Sequence, residues 1–321
     1  MSRNVLDKKS WPEATSVSGP AAMQMPGGRP VLAWRGNQNS RNLTLAVIDG
    51  PPGSLGNSSL ARYDCPDSSD HAPALCYHEG LRLAWAGTNG AHTLNLATVD
   101  LPFGGNQVRF HQRAFVNVGD LGSGASGAPS LSMQANGMLG VLCENATGQL
   151  CSAITSDGSS FDSGNQVFWR PTCVEGAVEI QSPADPTVTY VAWTDAGSGG
   201  LRFVRVDGIN EHTGVPSAQL SLHAPSLAVH NGTIYVAWVG TDSAAHLNVA
   251  PVDIQAIDAG DDPIDAAQVD TLNELSLAAP ALLTLPPTEV DPENFLPERL
   301  AIFWTGVDGA GTISGAIVYG E

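Results

Sequence analysis

The chain has 321 residues, of which 42% are hydrophobic and only 14% charged, with a formal net charge of -18. Lysine occurs only at Lys8 and Lys9, so binding to nucleic-acid phosphates or to anionic membrane surfaces is electrostatically disfavoured. No apolar run approaches the ~18 residues that span a bilayer, and the opening MSRNVLDKKSWPEA lacks the apolar centre of a secretory signal; a soluble protein is expected, cytoplasmic or exported without a signal peptide.

Along the chain one pattern returns. An opening segment (residues 4–18) precedes a short apolar segment, GPAAM at Pro20, then VLAWRG (31–36), a turn, LTLAVID from Leu43 and a looser segment around Leu60. The next unit runs APALC at Pro73, LRLAWAG (81–87), LNLATVD from Leu94 and a segment around Phe110; the third runs APSLS at Pro129, MLGVLCE (138–144), LCSAITSD from Leu150 and a segment around Phe168. The fourth has AVEIQ at Ala177, TYVAWTD (189–195), LRFVRVD from Leu201 and Leu220; the fifth has APSLA at Pro225, IYVAWVG (234–240), LNVAPVD from Leu247 and Leu272. The last has APALL at Pro280, LAIFWTG (300–306) and ISGAIVY from Ile313, and lacks a fourth segment.

Alternating apolar runs separated by Gly, Asn and Asp turns read as antiparallel strands, and a repeat at this period reads as a ring of blades. The fold expected is all-β, a six-bladed β-propeller of four-stranded antiparallel blades. It forms a single domain over 1–321, with blades near 19–71, 72–126, 127–175, 176–223, 224–276 and 277–321. The N-terminal strand within 4–18 joins the last blade and closes the ring, which removes an exposed edge. Trp34, Trp85, Trp193, Trp238 and Trp304 occupy one position of the repeat, with Leu142 there in the third unit. Cys143 with Cys151, and Cys65 with Cys76, are left open as bridges or buried free thiols.

These units resemble the sialidase-like propellers, in particular the bacterial and fungal propeller lectins, whose blades carry an AW-x-G strand followed by an L-N-x-A strand. Thr155–Phe161 (TSDGSSF) is similar to the Asp-box turn S-x-D-x-G-x-x-W, with the spacings from Asp to Gly and to the aromatic each one residue short. The resemblance implies a binding protein, often for glycans.

Candidate site residues follow from the face that carries the turn between second and third strands. His71 and His223 immediately precede the Ala-Pro segments of opposite blades, and the same blades carry Asn89 with His92 and Asp242 with His246 in their turns. These groups either line a channel mouth for a polar ligand or a metal, or cap turns. Trp85 and Trp238 either stack on a sugar or belong to the core. The acidic stretch 253–270 either holds calcium or is a solvated insertion, and no other cofactor is expected.

No arginine is expected at the start of an inner strand, and only Asp70, Glu175 and Glu179 place carboxylates near inner strands. No residue is therefore assigned a catalytic or metal-binding role. The expectation is a non-catalytic, lectin-like module for a glycan, with a protein-interaction platform and a glycoside hydrolase or lyase of the sialidase-like class as alternatives. Oligomeric state is not legible.

Overall fold

The computed structural model describes residues 2–37, 40–51, 54–90, 92–101, 108–115, 125–134, 137–145, 148–158, 167–169, 172–206, 214–291 and 294–320. They form six four-stranded antiparallel blades in a propeller arrangement. Blades 1 to 5 take their four strands in chain order from the channel outward, as in the second: Ala74–Tyr77, Leu81–Ala86, Leu94–Asp100 and Arg109–Phe115. The sixth blade is closed by the N-terminal strand Leu6–Thr15, paired antiparallel with Thr312–Tyr319. The opening segment goes further than the sequence implied: Ser2–Arg3 pairs parallel with the outer strand Asp270–Leu275 of blade 5, so the segment crosses the joint between blades 5 and 6.

The repeated tryptophans are the reason the blades stack. Trp34, Trp85, Trp193, Trp238 and Trp304 are at most 2% exposed, and each packs on the blade before it, as Trp85 does on Leu43 and Leu45 of blade 1. In the third blade the repeat is displaced by one residue from the sequence alignment. The bridge Ala125–Asn145 corresponds to Ser69–Gly87 and Ser221–Gly240, which puts Cys143 where the other blades have Trp. Cys143 accordingly packs on blade 2 and Leu142 on blade 4. A one-residue slip exchanges the faces of a strand, so Leu142 was assigned the wrong side. All five cysteines are free and buried, and burial pushes the thiols up.

The all-β chain carries one short helical insertion among the described residues. Ile254–Ala259 is a helix, with Asp253 accepting from the backbone of Gln255 and Ala256 at its start and Gly260 in the left-handed region (φ 81°) at its end. Residues 286–298 carry a small extra hairpin, Thr288–Asp291 with Asn294–Leu296, joining the first and second strands of blade 6.

Four blades are introduced by the same turn. Ser16, Ser69, Ser221 and Ser276 each donate from Oγ to the carbonyl two residues on, at 2.7–2.8 Å, and each stands four residues before the proline that opens an inner strand. The backbones of neighbouring turns approach so closely that a side chain is excluded. A Cβ on Gly19 would overlap the Ala279 carbonyl, and one on Gly176 would lie 2.5 Å from the Ala128 carbonyl oxygen. Small residues before the proline therefore set the bore of the channel.

Candidate functional site

The channel mouth is a cavity of about 180 Å³ walled by the beginnings of all six inner strands. Among the described residues its acidic wall groups are Glu175 and Glu179, both on the inner strand Cys173–Gln181 of blade 4. Pairing with the neighbouring strand shifts register between Cys173 and Ala177. Within that bulge Glu175 has φ 61° and Gly176 φ 118°. A left-handed glutamate costs on the order of 1 kcal/mol, and here it turns the carboxylate out into the mouth, where the His223 Nδ1 lies 3.1 Å from both oxygens.

Glu179 sits deeper. Its Oε1 accepts from Ser132 Oγ at 2.7 Å, and Ser132 in turn accepts from Gln134 Nε2 at 2.7 Å. The carboxyl faces the narrow bore and is half-buried among the surrounding strands. That desolvation raises its pKa to about 7, against the opposing pull of the Ser132 hydrogen bond.

A second polar cluster occupies the joint between blades 1 and 2. Arg35 donates to the Asp70 carbonyl, Arg41 pairs with the Asp70 carboxylate, and His92 Nδ1 lies 2.9 Å from the same carboxylate. The His71 and His92 rings are 6.5 Å apart. Burial holds the His71 imidazole below its ordinary range, offset in part by the Asp70 charge. Arginine therefore does reach the start of an inner strand, contrary to expectation. The available signal was Arg35 itself, which stands where the corresponding strands carry Ala86, Thr194, Val239 or Thr305.

The remaining sequence candidates divide. Trp85 and Trp238 are 0% and 1% exposed and lie in the inter-blade core, where no sugar reaches their faces. Asn89 binds Thr93 through Nδ2 at 2.9 Å and takes its backbone N–H at 3.0 Å, holding its own hairpin turn. Asp242 does the same for Ala244 and pairs with His246 at 2.9 Å. His92 and His223 meet carboxylates from a neighbouring strand or blade, His246 meets one within its own turn, and His71 stands beside the His92 ring.

Among the described residues no three His, Cys, Asp or Glu side chains gather as a cation cage. Five of the six acidic groups of 253–270 are engaged elsewhere: Asp253 and Asp265 cap helical turns, Asp258 pairs with Arg205, Asp262 accepts from Ala218 and Ile264, and Asp270 pairs with Arg3. In Thr155–Phe161, Thr155 Oγ1 donates to Asp157 and accepts from the Gly158 N–H at 3.1 Å; residues 159–161 lie outside the described residues. No helix among the described residues is long and apolar enough to cross a membrane.

No protein-family model matches the sequence, and no curated protein matches it. Solved structures do. The chain is similar to AofleA from Arthrobotrys oligospora, solved as a mutant with three arginines changed to alanine, at 12% identity, 98% of this chain, 88% of that one and a TM-score of 0.58. It is similar to the α-L-arabinofuranosidase arb93a of Fusarium graminearum in complex with an iminosugar inhibitor, at 11% identity, 98% and 96% coverage and a TM-score of 0.57. It is also similar to NanB bound to Optactamide, at 9% identity, 98% and 70% coverage and a TM-score of 0.53.

At such identities the likeness establishes the six-bladed fold. The lectin-like expectation is corrected by the same comparison: the similar structures include an α-L-arabinofuranosidase, solved with an iminosugar inhibitor and with arabinobiose.

Proposed function

We propose that the chain is a glycoside hydrolase whose active site is the channel mouth. The carrying observation is that Glu175 and Glu179 project from one inner strand into one cavity, in contrasting surroundings. Two carboxyl groups with distinct environments are what acid and base roles require. The terminal sugar enters the bore. Glu179, deep in the wall and with a pKa near 7, removes a proton from the attacking water. The Glu175–His223 pair at the rim delivers a proton to the departing glycosidic oxygen.

Glu175 and Glu179 stand on one strand interrupted by the bulge at Glu175–Gly176, and the reaction proposed is a single displacement in which one group supplies the proton and the other activates water. The similar arabinofuranosidase gives the first substrate class to try.

The test is release of sugar from a panel of aryl furanosides and pyranosides, beginning with the α-L-arabinofuranoside, by the unaltered chain and by Glu179→Gln. Turnover that the substitution lowers by about 10²–10⁴ is expected. No turnover across the panel, or turnover indifferent to Glu179, would overturn the reading.

A further inference from the structure

The turn that introduces each inner strand carries its second residue one or two positions before the residues that wall the mouth. The six residues there, in ring order, are Val17, Asp70, Ser126, Val174, Leu222 and Leu277. Their equivalence is fixed by backbone hydrogen bonding as well as by spacing: Asp70 N–H donates to Ala86 O, Leu222 N–H to Val239 O and Leu277 N–H to Thr305 O, at 2.9–3.0 Å. One position of one repeat is thus polar in blades 2 and 3 and apolar in the four consecutive blades 4, 5, 6 and 1.

Exposure sharpens the division. Leu222 and Leu277 are 45% and 48% exposed. Val307, in the hairpin turn after Thr305, and Leu220, at the end of the outer strand of blade 4, are 43% and 46% exposed on the same side. Blades 1 and 2 offer instead Arg35, Arg41, Asp70 and His92. Large apolar side chains are normally covered in such a turn, and several exposed together mark a contact surface.

We propose that the rim of blades 4 to 6 is a subsite for an apolar aglycone, the non-sugar group that departs when the glycosidic bond is cleaved. The inference rests on the hydrolase reading and specifies its substrate class. Position decides for this occupant over others. Leu222 is the chain neighbour of His223, whose ring contacts Glu175, so the apolar rim begins at the group that meets the departing oxygen. The sugar hydroxyls are left to the bore and to the charged joint between blades 1 and 2. An alkyl or aryl group joined to that oxygen lies over Leu222 and Leu277 and removes their surface from water.

The experiment measures binding to Glu179→Gln, which holds substrate without turning it over, of paired glycosides sharing one sugar and differing only in a methyl or a phenyl aglycone. The pairs use α-L-arabinofuranose, β-D-xylopyranose and β-D-galactopyranose. At least tenfold tighter binding of the phenyl member is expected for the sugar that is recognised. The ratio should fall to near unity in the same variant carrying Leu222→Asn and Leu277→Asn, whose side chains are exposed and whose folding is checked by circular dichroism.

Equal binding of both members, or a preference that survives both substitutions, overturns the subsite and leaves the hydrolase reading standing. Binding of neither member by any sugar, with no turnover in the unaltered chain, overturns both.

Discussion

His223 of blade 5 places Nδ1 3.1 Å from both carboxylate oxygens of Glu175 in blade 4, so a proton donor is assembled across a blade joint. Neither residue alone holds that geometry: Glu175 is turned outward by its bulge, and His223 is fixed by the Ser221 turn, whose Oγ accepts the His223 N–H. His223→Ala is expected to lower kcat by one to two orders of magnitude with little change in KM. Steady-state kinetics on an aryl glycoside reads both.

Activity should depend on the ionisation of Glu179. As a base it works when deprotonated, so kcat/KM is expected to rise with pH through about 7. A pH-rate profile checks this, and in Glu179→Gln that limb should vanish together with most of the activity.

The same carboxyl burdens the fold. Its pKa is raised from the ordinary 4.5 to about 7 in the folded chain, so the folded state favours the protonated form. The stabilising contribution is complete below pH 4.5 and is lost as pH rises through 7. Glu179→Gln, which stays neutral, is therefore expected to be more stable than the unaltered chain at pH 8, by at most about 3 kcal/mol. The gap should close toward pH 4.5, as denaturant melts at several pH values would register.

Gly176→Ala should damage stability and activity together. A Cβ there meets the Ala128 carbonyl oxygen at 2.5 Å on a backbone with φ 118°. The strain should cost about 2 kcal/mol or more and should shift Glu175 beside it. Equilibrium unfolding and kcat are the readouts.

Ring closure rests on packing more than on charge. Trp11 is 1% exposed and packs in the core with Phe303 and Ile313 of blade 6, so Trp11→Ala should cost about 3–5 kcal/mol. Lys8 reaches Glu274 of blade 5 at 2.7 Å but is 44% exposed, and Lys8→Ala should cost no more than about 1 kcal/mol. Thermal denaturation of the two variants compares them.

The architecture was legible because a propeller writes its core into the sequence at one fixed strand position. The reading slipped where that position lost its signal, at Cys143, and missed the helix at Ile254–Ala259, whose length of six residues leaves no room for an apolar period. In the site, His71, His223, Asp70 and Glu175 were legible from their places ahead of the inner strands. The condition of Glu179 was not, because it is made by Ser132 and Gln134 of the neighbouring blade. The rim of leucines escaped notice for a related reason: single exposed apolar residues carry no periodicity, and only the ring sets them side by side.

The N-terminal clasp has a consequence for the order of events in biosynthesis. The strand Leu6–Thr15 leaves the ribosome some 300 residues ahead of its partner Thr312–Tyr319. Until then the segment carrying Trp11 has nowhere to dock, and Ser2–Arg3 likewise waits for the outer strand of blade 5. Blades 1 to 4 can stack as they emerge, whereas the circle is sealed only after translation has passed Tyr319, by a strand pairing that spans some 300 residues.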